Sequence, residues 1–324
     1  MNPRENFLAV MAHKKPEWVP VYSKPVRWNV GFLDEFEKGP AGGGKDGFGV
    51  DWLWDDVGPV PSTARFQLTD ITKWREQTHF PDLDSINWEE KAARELEGAD
   101  RENCVVEYSM GNGPYERLLA LMGLEEISCA FYEAPEAVAD YLDAWAQYKL
   151  HHIELVAKHY RPDFISIFDD VAYENGLFVT KEIYRTLFSP IHKRLNDAIK
   201  AHGIQPIRHC CGKAEPLVED FIREGAVAWS SVQPNNDIVS ILQKYGDRLT
   251  IIGGFDGNGA PARPDATEEM RRAEVRRAMD TYAPYGSYMI CNLIVSGPTP
   301  EDSKRMTFEV VDEALKYGKT FYQK

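Results

Sequence analysis

From residue 135 onward, the sequence alternates between amphipathic helical segments and short apolar segments. Pro135 opens a helix whose apolar residues recur at intervals of three and four, from Val138 to Val156. The apolar run Phe164–Phe168 that follows is typical of a buried strand. Strands joined by helices pair in parallel, so the pattern predicts an α/β fold, either a closed barrel or an open doubly wound sheet. The strands predicted in this way are 164–168, 204–208, 226–229, 249–252 and 288–290.

The first hundred residues are rich in aromatic and turn-forming residues and have no clear periodicity. The glycine-rich segment Gly39–Gly44 predicts a flexible loop or a mobile lid, and it is too short to link two domains. The segment from Gly111 to Glu116 (GNGPYE) lacks the last glycine of a dinucleotide-binding fingerprint and is predicted to be a turn. Because barrels of 324 residues commonly form one domain, length alone does not require a second one.

Charge and composition limit the classes of partner. A formal net charge of −14 argues against nucleic acid, because phosphate binding needs a concentrated basic surface. The arginines between residues 271 and 277 are spaced among glutamates, which predicts a salt-bridged helix face. No apolar run approaches the roughly 20 residues of a membrane span. The start of the chain lacks the apolar centre of a signal peptide, and the cysteines follow no disulfide framework, so we expect a cytoplasmic protein.

Polar side chains capable of chemistry follow five successive predicted strands. In α/β barrels, catalytic groups come from several strand ends on one face, so this placement predicts an active site there. Helix N-caps occupy the same junctions and favour Asp and Ser, so capping is the alternative interpretation for Asp170 and Ser230. The residues in question are Asp169 and Asp170, His209 and Cys211, Ser230, Asp256, and Cys291 and Asn292.

His209-Cys210-Cys211 is the most specific of these signals. Imidazole and thiolate are ligands that zinc prefers. Side chains alternate along a strand, so His209 and Cys211 face one way and Cys210 faces the other. Cys291, at the last strand, is the most plausible third ligand. The alternative interpretations are a buried histidine beside small apolar thiols, and a Cys–His nucleophile that lacks an orienting third group.

Several segments resemble the superfamily of uroporphyrinogen decarboxylase and the cobalamin-dependent methyltransferases, in the correct order along nearly the whole chain. The resemblance implies a (β/α)8 barrel, here a single domain over residues 1–324. The segments that carry it are RENFLAVMAHKKPEWVPVY (from Arg4), DGFGVDW (from Asp46), FDDVAYENGLFVTKEIYRTLFSP (from Phe168), HCCG (from His209), GGFDG (from Gly253) and CNLIVSGPTPED (from Cys291).

Two activities compete within that superfamily. The decarboxylases carry an Arg-Gln-Ala-Gly-Arg motif that holds the substrate's carboxylates, whereas the corresponding region here contains Arg27 alone. The methyltransferases carry His-x-Cys and a distant cysteine that bind zinc, and His209 and Cys211 match the pair. The distant cysteine does not match cleanly. The resemblance therefore leaves three options: Cys291 as the third ligand, an acidic residue such as Asp169, or no zinc.

The resemblance implies a methyltransferase component that moves a methyl group from a small donor, such as a methoxylated aromatic, to a Co(I) corrinoid. The corrinoid is expected on a partner protein, because the Asp-x-His-x-x-Gly signature is absent. Asp169, Asp256 and Asn292 are the expected catalytic residues, with zinc or an acid stabilising charge on the departing oxygen. Aromatic residues of the first third are expected around the donor, namely Trp28, Phe48, Trp52, Trp54, Phe66 and Trp74. The alternatives are a tetrapyrrole decarboxylase and an inert scaffold barrel, and a homodimer is one expectation for the assembly.

Overall fold

A curled sheet of seven parallel strands forms the centre of the computed structural model, which describes residues 1–54, 58–291 and 293–323. Sequence order and spatial order in the sheet are the same, as expected when each strand is followed by a crossover to its neighbour. The strands are β1 Arg27–Val30, β2 Val105–Met110, β3 Phe164–Phe168, β4 Gln205–His209, β5 Ala228–Val232, β6 Thr250–Gly254 and β7 Tyr288–Cys291.

The sheet closes through a segment that lies just before β1. Val21 forms a parallel bridge with Ile290 of β7. The Tyr22 amide donates to the Ile290 carbonyl over 2.9 Å, and the Ile290 amide donates to the Pro20 carbonyl over 3.3 Å. This bridge brings the segment before β1 against the last strand, so the two edges of the seven-stranded sheet approach each other, in agreement with the predicted (β/α)8-type barrel.

The outer helices agree with the sequence periodicity. The predicted helix from Pro135 is Pro135–His159, and Gly225 ends another helix in the left-handed conformation. The predicted helix through Leu187 contains a π-helical turn, Tyr184–Phe188, which the periodicity did not indicate. The principal helices are Pro3–Met11, Glu35–Lys38, Trp74–Gln77, Trp88–Glu95, Pro114–Met122, Leu124–Glu133, Pro135–His159, Lys181–Ile183, Ser189–Ala201, Val218–Glu224, Ile238–Tyr245, Glu268–Tyr282 and Pro300–Thr320.

The N-terminal helix Pro3–Met11 fills one end of the barrel. Its buried Phe7 and Val10 pack against residues from the starts of strands, such as Val105 and Phe164. The Thr250 hydroxyl adds a hydrogen bond of 2.9 Å to the Val10 carbonyl. This end of the barrel is therefore apolar and closed, and the open end lies where the strands finish.

The segment between β1 and β2 is folded onto the barrel through buried charges. Arg117 donates to Asp46 over 2.6 Å and pairs with Glu37 over 3.0 Å, and Lys149 pairs with Glu37 over 2.6 Å. All of these side chains are buried, so the charges compensate one another away from water. The glycine-rich segment predicted to be a flexible loop leads into a three-stranded antiparallel sheet, Gly44–Lys45, Asp51–Trp54 and Pro59–Pro61.

The arginine cluster of helix Glu268–Tyr282 is paired, as its spacing predicted. Arg272 bonds Glu268, and Arg277 bonds Glu274, within the helix. Arg271 is buried and bonds Glu309 of the last helix. The cluster thus holds two helices together. In the described ranges, no helix combines the length and the apolar character that crossing a membrane requires.

Candidate functional site

A cavity of about 460 Å³ lies at the ends of the barrel strands. Strand-end side chains, including His209, Ser230 and Cys291, form one side of it, and helix Pro300–Thr320 contributes the other. Its volume is within the range of pockets that bind small molecules, and active sites of (β/α)8 barrels lie on this face. A larger cavity of about 620 Å³, beside residues 63–69, contains none of the predicted site residues.

Three side chains with metal-binding atoms meet at the same strand ends: Asp170, His209 and Cys211. One atom of each lies within 4.8 Å of the others, and His209 Nε2 is 3.7 Å from Cys211 Sγ. Tetrahedral zinc bonds of about 2.1 Å to nitrogen and about 2.3 Å to sulfur would separate these two atoms by about 3.6 Å. The donor set and its spacing therefore fit zinc, and three protein ligands leave its fourth position open.

Two serines of β5 orient the His209 and Cys211 side chains. Ser230 Oγ is 3.1 Å from His209 Nδ1, which leaves Nε2 facing Cys211. Ser231 Oγ is 3.0 Å from Cys211 Sγ. A β-bulge interrupts β5 here, because its pairing with β6 shifts by one residue between Ser230 and Val232 and Ser231 has a φ of 67°. The bulge allows the hydroxyls of two consecutive serines to face the site. Phe168 stacks on the His209 ring at 3.7 Å between centroids.

Burial and nearby charges set the protonation states of these groups. Burial, with Arg27 and Lys38 nearby, lowers the pKa of His209 to about 3, so the imidazole is neutral and able to ligate a metal. Burial and the charge of Asp170 raise the pKa of Cys211 well above its usual value. Burial also raises the pKa of Asp170. A cation bound among them would reverse the last two shifts, and its binding would release protons.

The acidic member of the group is Asp170, whereas the sequence offered Cys291 or Asp169 as the third ligand. Phe168 lines the cavity, and side-chain alternation places Asp170 on the same face and Asp169 on the opposite one. The Asp170 carboxylate is held by the backbone amide of Cys211 over 2.8 Å. Cys291 lines the cavity but is not among the three clustered ligands. The rule of side-chain alternation that pairs His209 with Cys211 also pairs Phe168 with Asp170. The sequence does not show which of the two faces Phe168 occupies, so Asp170 could be chosen only from the structure.

Asp169 is completely buried behind this face. Its Oδ1 accepts hydrogen bonds of 2.9 Å from the backbone amides of Tyr115 and Glu116, which caps helix Pro114–Met122. Its Oδ2 lies 2.8 Å from His192 Nε2 and 3.5 Å from Arg208. Both carboxylate oxygens are therefore used inside the protein, and this geometry favours a structural role over contact with a substrate.

The remaining predicted residues are dispersed. Asp256 does not line the cavity, and its carboxylate accepts hydrogen bonds from the backbone amides of Asn258 and Gly259 in its own loop. Cys210, which directly follows β4, is fully buried, as expected for a side chain that faces away from His209 and Cys211. Asn292, the third predicted catalytic residue, lies outside the described residues.

Sequence reasoning missed Glu116 and Lys38, which lie near Asp170. Burial and the charge of Asp170 raise the pKa of Glu116 to about 8, and burial lowers the pKa of Lys38. Glu116 belongs to the GNGPYE segment, which was predicted to be only a turn. Its first residues only bend the chain at Asn112, and Pro114 begins a helix that carries Glu116 to the strand ends. No local pattern indicates this placement.

The aromatic residues of the first third do not surround the cavity. Phe48, Trp52 and Trp74 are core residues, and none of the six that were expected there lines it. The aromatic side chains that do line the cavity are Tyr22, Phe32 and Phe168. The expected donor pocket is thus built from different residues, because the first-third aromatics pack the folded segment between β1 and β2.

Comparison with known proteins defines the family. A family model described as Uroporphyrinogen decarboxylase (URO-D) matches residues 46–313, which is most of the chain. The chain belongs to the URO-D family. A search of curated proteins finds no match to this URO-D family member.

One solved structure shares the fold over nearly the whole chain. A methyltransferase from Methanosarcina mazei shares 13% identity with this URO-D family member, with a TM-score of 0.69 over 98% of this chain and 99% of that chain. A D-psicose 3-epimerase, solved in the presence of D-fructose, shares 12% identity over 72% of this chain and 83% of that chain, with a TM-score of 0.41. A sugar phosphate isomerase/epimerase from Parabacteroides distasonis shares 12% identity over 75% and 79%, with a TM-score of 0.38. Only the first of these structures has a TM-score above 0.5, and at 13% identity its similarity concerns the fold alone.

Proposed function

We propose that this URO-D family member is an enzyme that transfers a methyl group from a small donor, such as a methoxylated aromatic, to a Co(I) corrinoid carried by a partner protein. The observation that carries the proposal is the meeting of Asp170, His209 and Cys211 at the strand ends, with His209 lining a cavity of about 460 Å³. The fold similarity to the methyltransferase from Methanosarcina mazei supports the same choice.

The three side chains would hold zinc, which supplies a Lewis acid that stabilises negative charge on the oxygen leaving the methyl group. His209 is suited to this role because it is neutral and its Nε2 is directed to Cys211 by Ser230. Ser231 and the Cys211 amide hold the thiol and the Asp170 carboxylate in place. Apolar side chains of the cavity, such as Leu293, exclude water from the donor.

The competing activity is decarboxylation of a tetrapyrrole, which the family name describes. A substrate of that kind carries several carboxylates that need several guanidinium or amide partners. Among the described residues, Arg27 is the only arginine that lines the cavity, and two of its nitrogens bond Glu107. The cavity therefore supports a smaller substrate with fewer charges.

Metal analysis tests the ligand set. We expect about one zinc per chain in protein purified without chelator, measured by elemental analysis. His209→Ala, Cys211→Ser and Asp170→Asn should each lose it, because each removes one of three ligands. Cys210→Ser is the matched control and should retain zinc, as should Cys291→Ser if Asp170 is the third ligand. Wild-type protein free of transition metal would contradict the zinc assignment.

Methyl transfer tests the reaction itself. The protein, a reduced corrinoid protein and a panel of methoxyaromatic donors are mixed, and methyl-Co(III) is followed by the absorbance change of the corrinoid. We expect the signal only when all three components are present, and no loss of carboxylates from uroporphyrinogen. Coproporphyrinogen formation, or no methylcobalt signal with a competent partner across the panel, would exclude the proposal.

A further inference from the structure

A second cavity, which we call the side groove, has a volume of about 390 Å³. One wall is the segment 18–26, which precedes β1, and the other is the end of helix Pro300–Thr320. Apolar side chains such as Trp18 and Leu315 make up most of the lining. The lining offers no carboxylate, thiol or imidazole, so the side groove is suited to binding and not to the chemistry expected at the strand ends.

The walls of the side groove are joined by hydrogen bonds. The Val19 amide donates to the Gly318 carbonyl over 3.2 Å. A Cβ at Gly318 would lie 2.7 Å from the Val19 oxygen, so the absence of a side chain there permits the close approach. The buried Asn6 side chain accepts from the Glu17 amide over 2.8 Å and donates to the Trp18 carbonyl over 3.0 Å. The side groove is therefore formed before any ligand arrives.

The rim of the side groove is basic. Lys24 and Lys319 both line it, and neither has an ion pair within residues 1–54, 58–291 and 293–323. Glu17, in the adjoining part of the chain, already pairs with the N-terminal ammonium over 2.7 Å. The protein as a whole has a net charge of −14, so two uncompensated cations beside an apolar groove favour an anion with an apolar body.

The side groove shares a wall with the cavity at the strand ends. Val21, Ser23 and Lys24 line both cavities. Val21 also forms the bridge to Ile290 of β7, so the segment between the cavities is part of the barrel wall. A ligand in the side groove would contact the same segment that bounds the strand-end cavity.

We propose that the side groove is a second ligand site, which takes a small amphiphilic anion as an effector. The alkyl or aryl body would lie between Trp18 and Leu315, and a single anionic group would lie at Lys24 and Lys319. Binding would stabilise the shared wall and thereby act on the strand-end cavity. The inference does not depend on methyl transfer, since it invokes neither the metal-binding group nor a methyl donor.

Calorimetric titration with octanoate and 1-octanol tests the class of ligand. The two molecules have the same chain length, and only octanoate carries a charge. We expect octanoate to bind about tenfold more tightly, because the anionic group gains two exposed charge contacts at the rim. Equal affinity for the two molecules, or no binding of octanoate, would overturn the proposal.

Two pairs of variants on helix Pro300–Thr320 identify the residues involved. Lys319→Glu reverses one rim charge and breaks no ion pair, so octanoate affinity should fall at least about tenfold while octanol affinity changes little. Lys304→Glu is its control, on an exposed residue that lines neither cavity. Leu315→Asn should weaken both molecules by about fivefold, whereas Phe308→Asn, exposed and outside both cavities, should weaken neither. Unchanged octanoate binding in folded Lys319→Glu or Leu315→Asn would refute the assignment.

Hydrogen exchange followed by mass spectrometry locates the bound molecule. Octanoate should slow exchange in peptides that cover residues 18–26 and 315–320 of the wild-type protein, and should not do so in Lys319→Glu. Protection confined to the strand ends, such as residues 207–211, would mean that octanoate occupies the other cavity and would overturn the proposal.

A second copy of the chain is the competing occupant of the side groove. Sedimentation velocity distinguishes it from a small molecule. We expect the same oligomeric state in the wild-type protein and in Leu315→Asn, with and without octanoate. A dimer that octanoate or Leu315→Asn dissociates would make the side groove an interface between copies and would overturn the ligand site.

Discussion

Asp169→Asn distinguishes a structural aspartate from a catalytic one. In the variant, the amide oxygen can still cap helix Pro114–Met122, but the amide nitrogen replaces Oδ2 and becomes a donor facing His192 and Arg208. Arg208 is buried and would lose its acidic partner. Removing one member of a buried ion pair costs about 3–5 kcal/mol, compared with about 1 kcal/mol for a helix cap alone. We expect the melting temperature to fall by roughly 6–10 °C, at about 2 °C per kcal/mol for a chain of this size.

The assay is thermal or urea unfolding followed by circular dichroism, with zinc content measured in parallel. Asp256→Asn is the matched control, because its carboxylate only accepts backbone hydrogen bonds in its own loop and an asparagine oxygen can do the same. That variant should lose less than about 1 kcal/mol. If Asp169→Asn melts with the wild-type protein and loses only activity, the structural reasoning is wrong and Asp169 acts in the chemistry.

Two further substitutions test the packing and the electrostatics around the site. Gly113→Ala would place a methyl group 2.3 Å from Asp169 Cβ, so we expect the free energy of unfolding in urea to fall by at least about 2 kcal/mol. Gly203→Ala is the control: its added methyl group has no neighbour within 4 Å, and its positive φ should cost about 1 kcal/mol. Equal losses in the two variants would contradict the predicted clash. Burial raises the pKa of Asp34 from 3.8 to about 6, so the folded state keeps a proton that the unfolded state releases, and stability from this group falls as pH rises from about 4 to about 6. Compared with Asp34→Asn, the wild-type protein should therefore lose about 2 kcal/mol of unfolding free energy between pH 4 and pH 7, and parallel pH profiles would disprove the shift.

The fold could be read from the sequence where the pattern is local. The helix Pro135–His159 and the strands β3 to β7 follow directly from apolar periodicity and from glycine and proline at their ends. Boundaries were less accurate: β5 extends through Ser230 and Ser231, because pairing with β4 and β6 continues past the last apolar residue. The segment between β1 and β2 could not be predicted, because its stability depends on pairs such as Arg117 with Asp46, which lie 71 residues apart.

The sequence by itself determined the α/β alternation, the placement of polar residues at strand ends, and the common face of His209 and Cys211. These properties follow from backbone geometry within a few residues, since side chains alternate along any strand. Only the tertiary structure decided that Asp170 joins them, that Asp169 is buried with Arg208, and that Arg27 and Asn29 face the cavity. The physical reason is that these roles depend on which side chains meet across different strands, and closure of the barrel determines those distances.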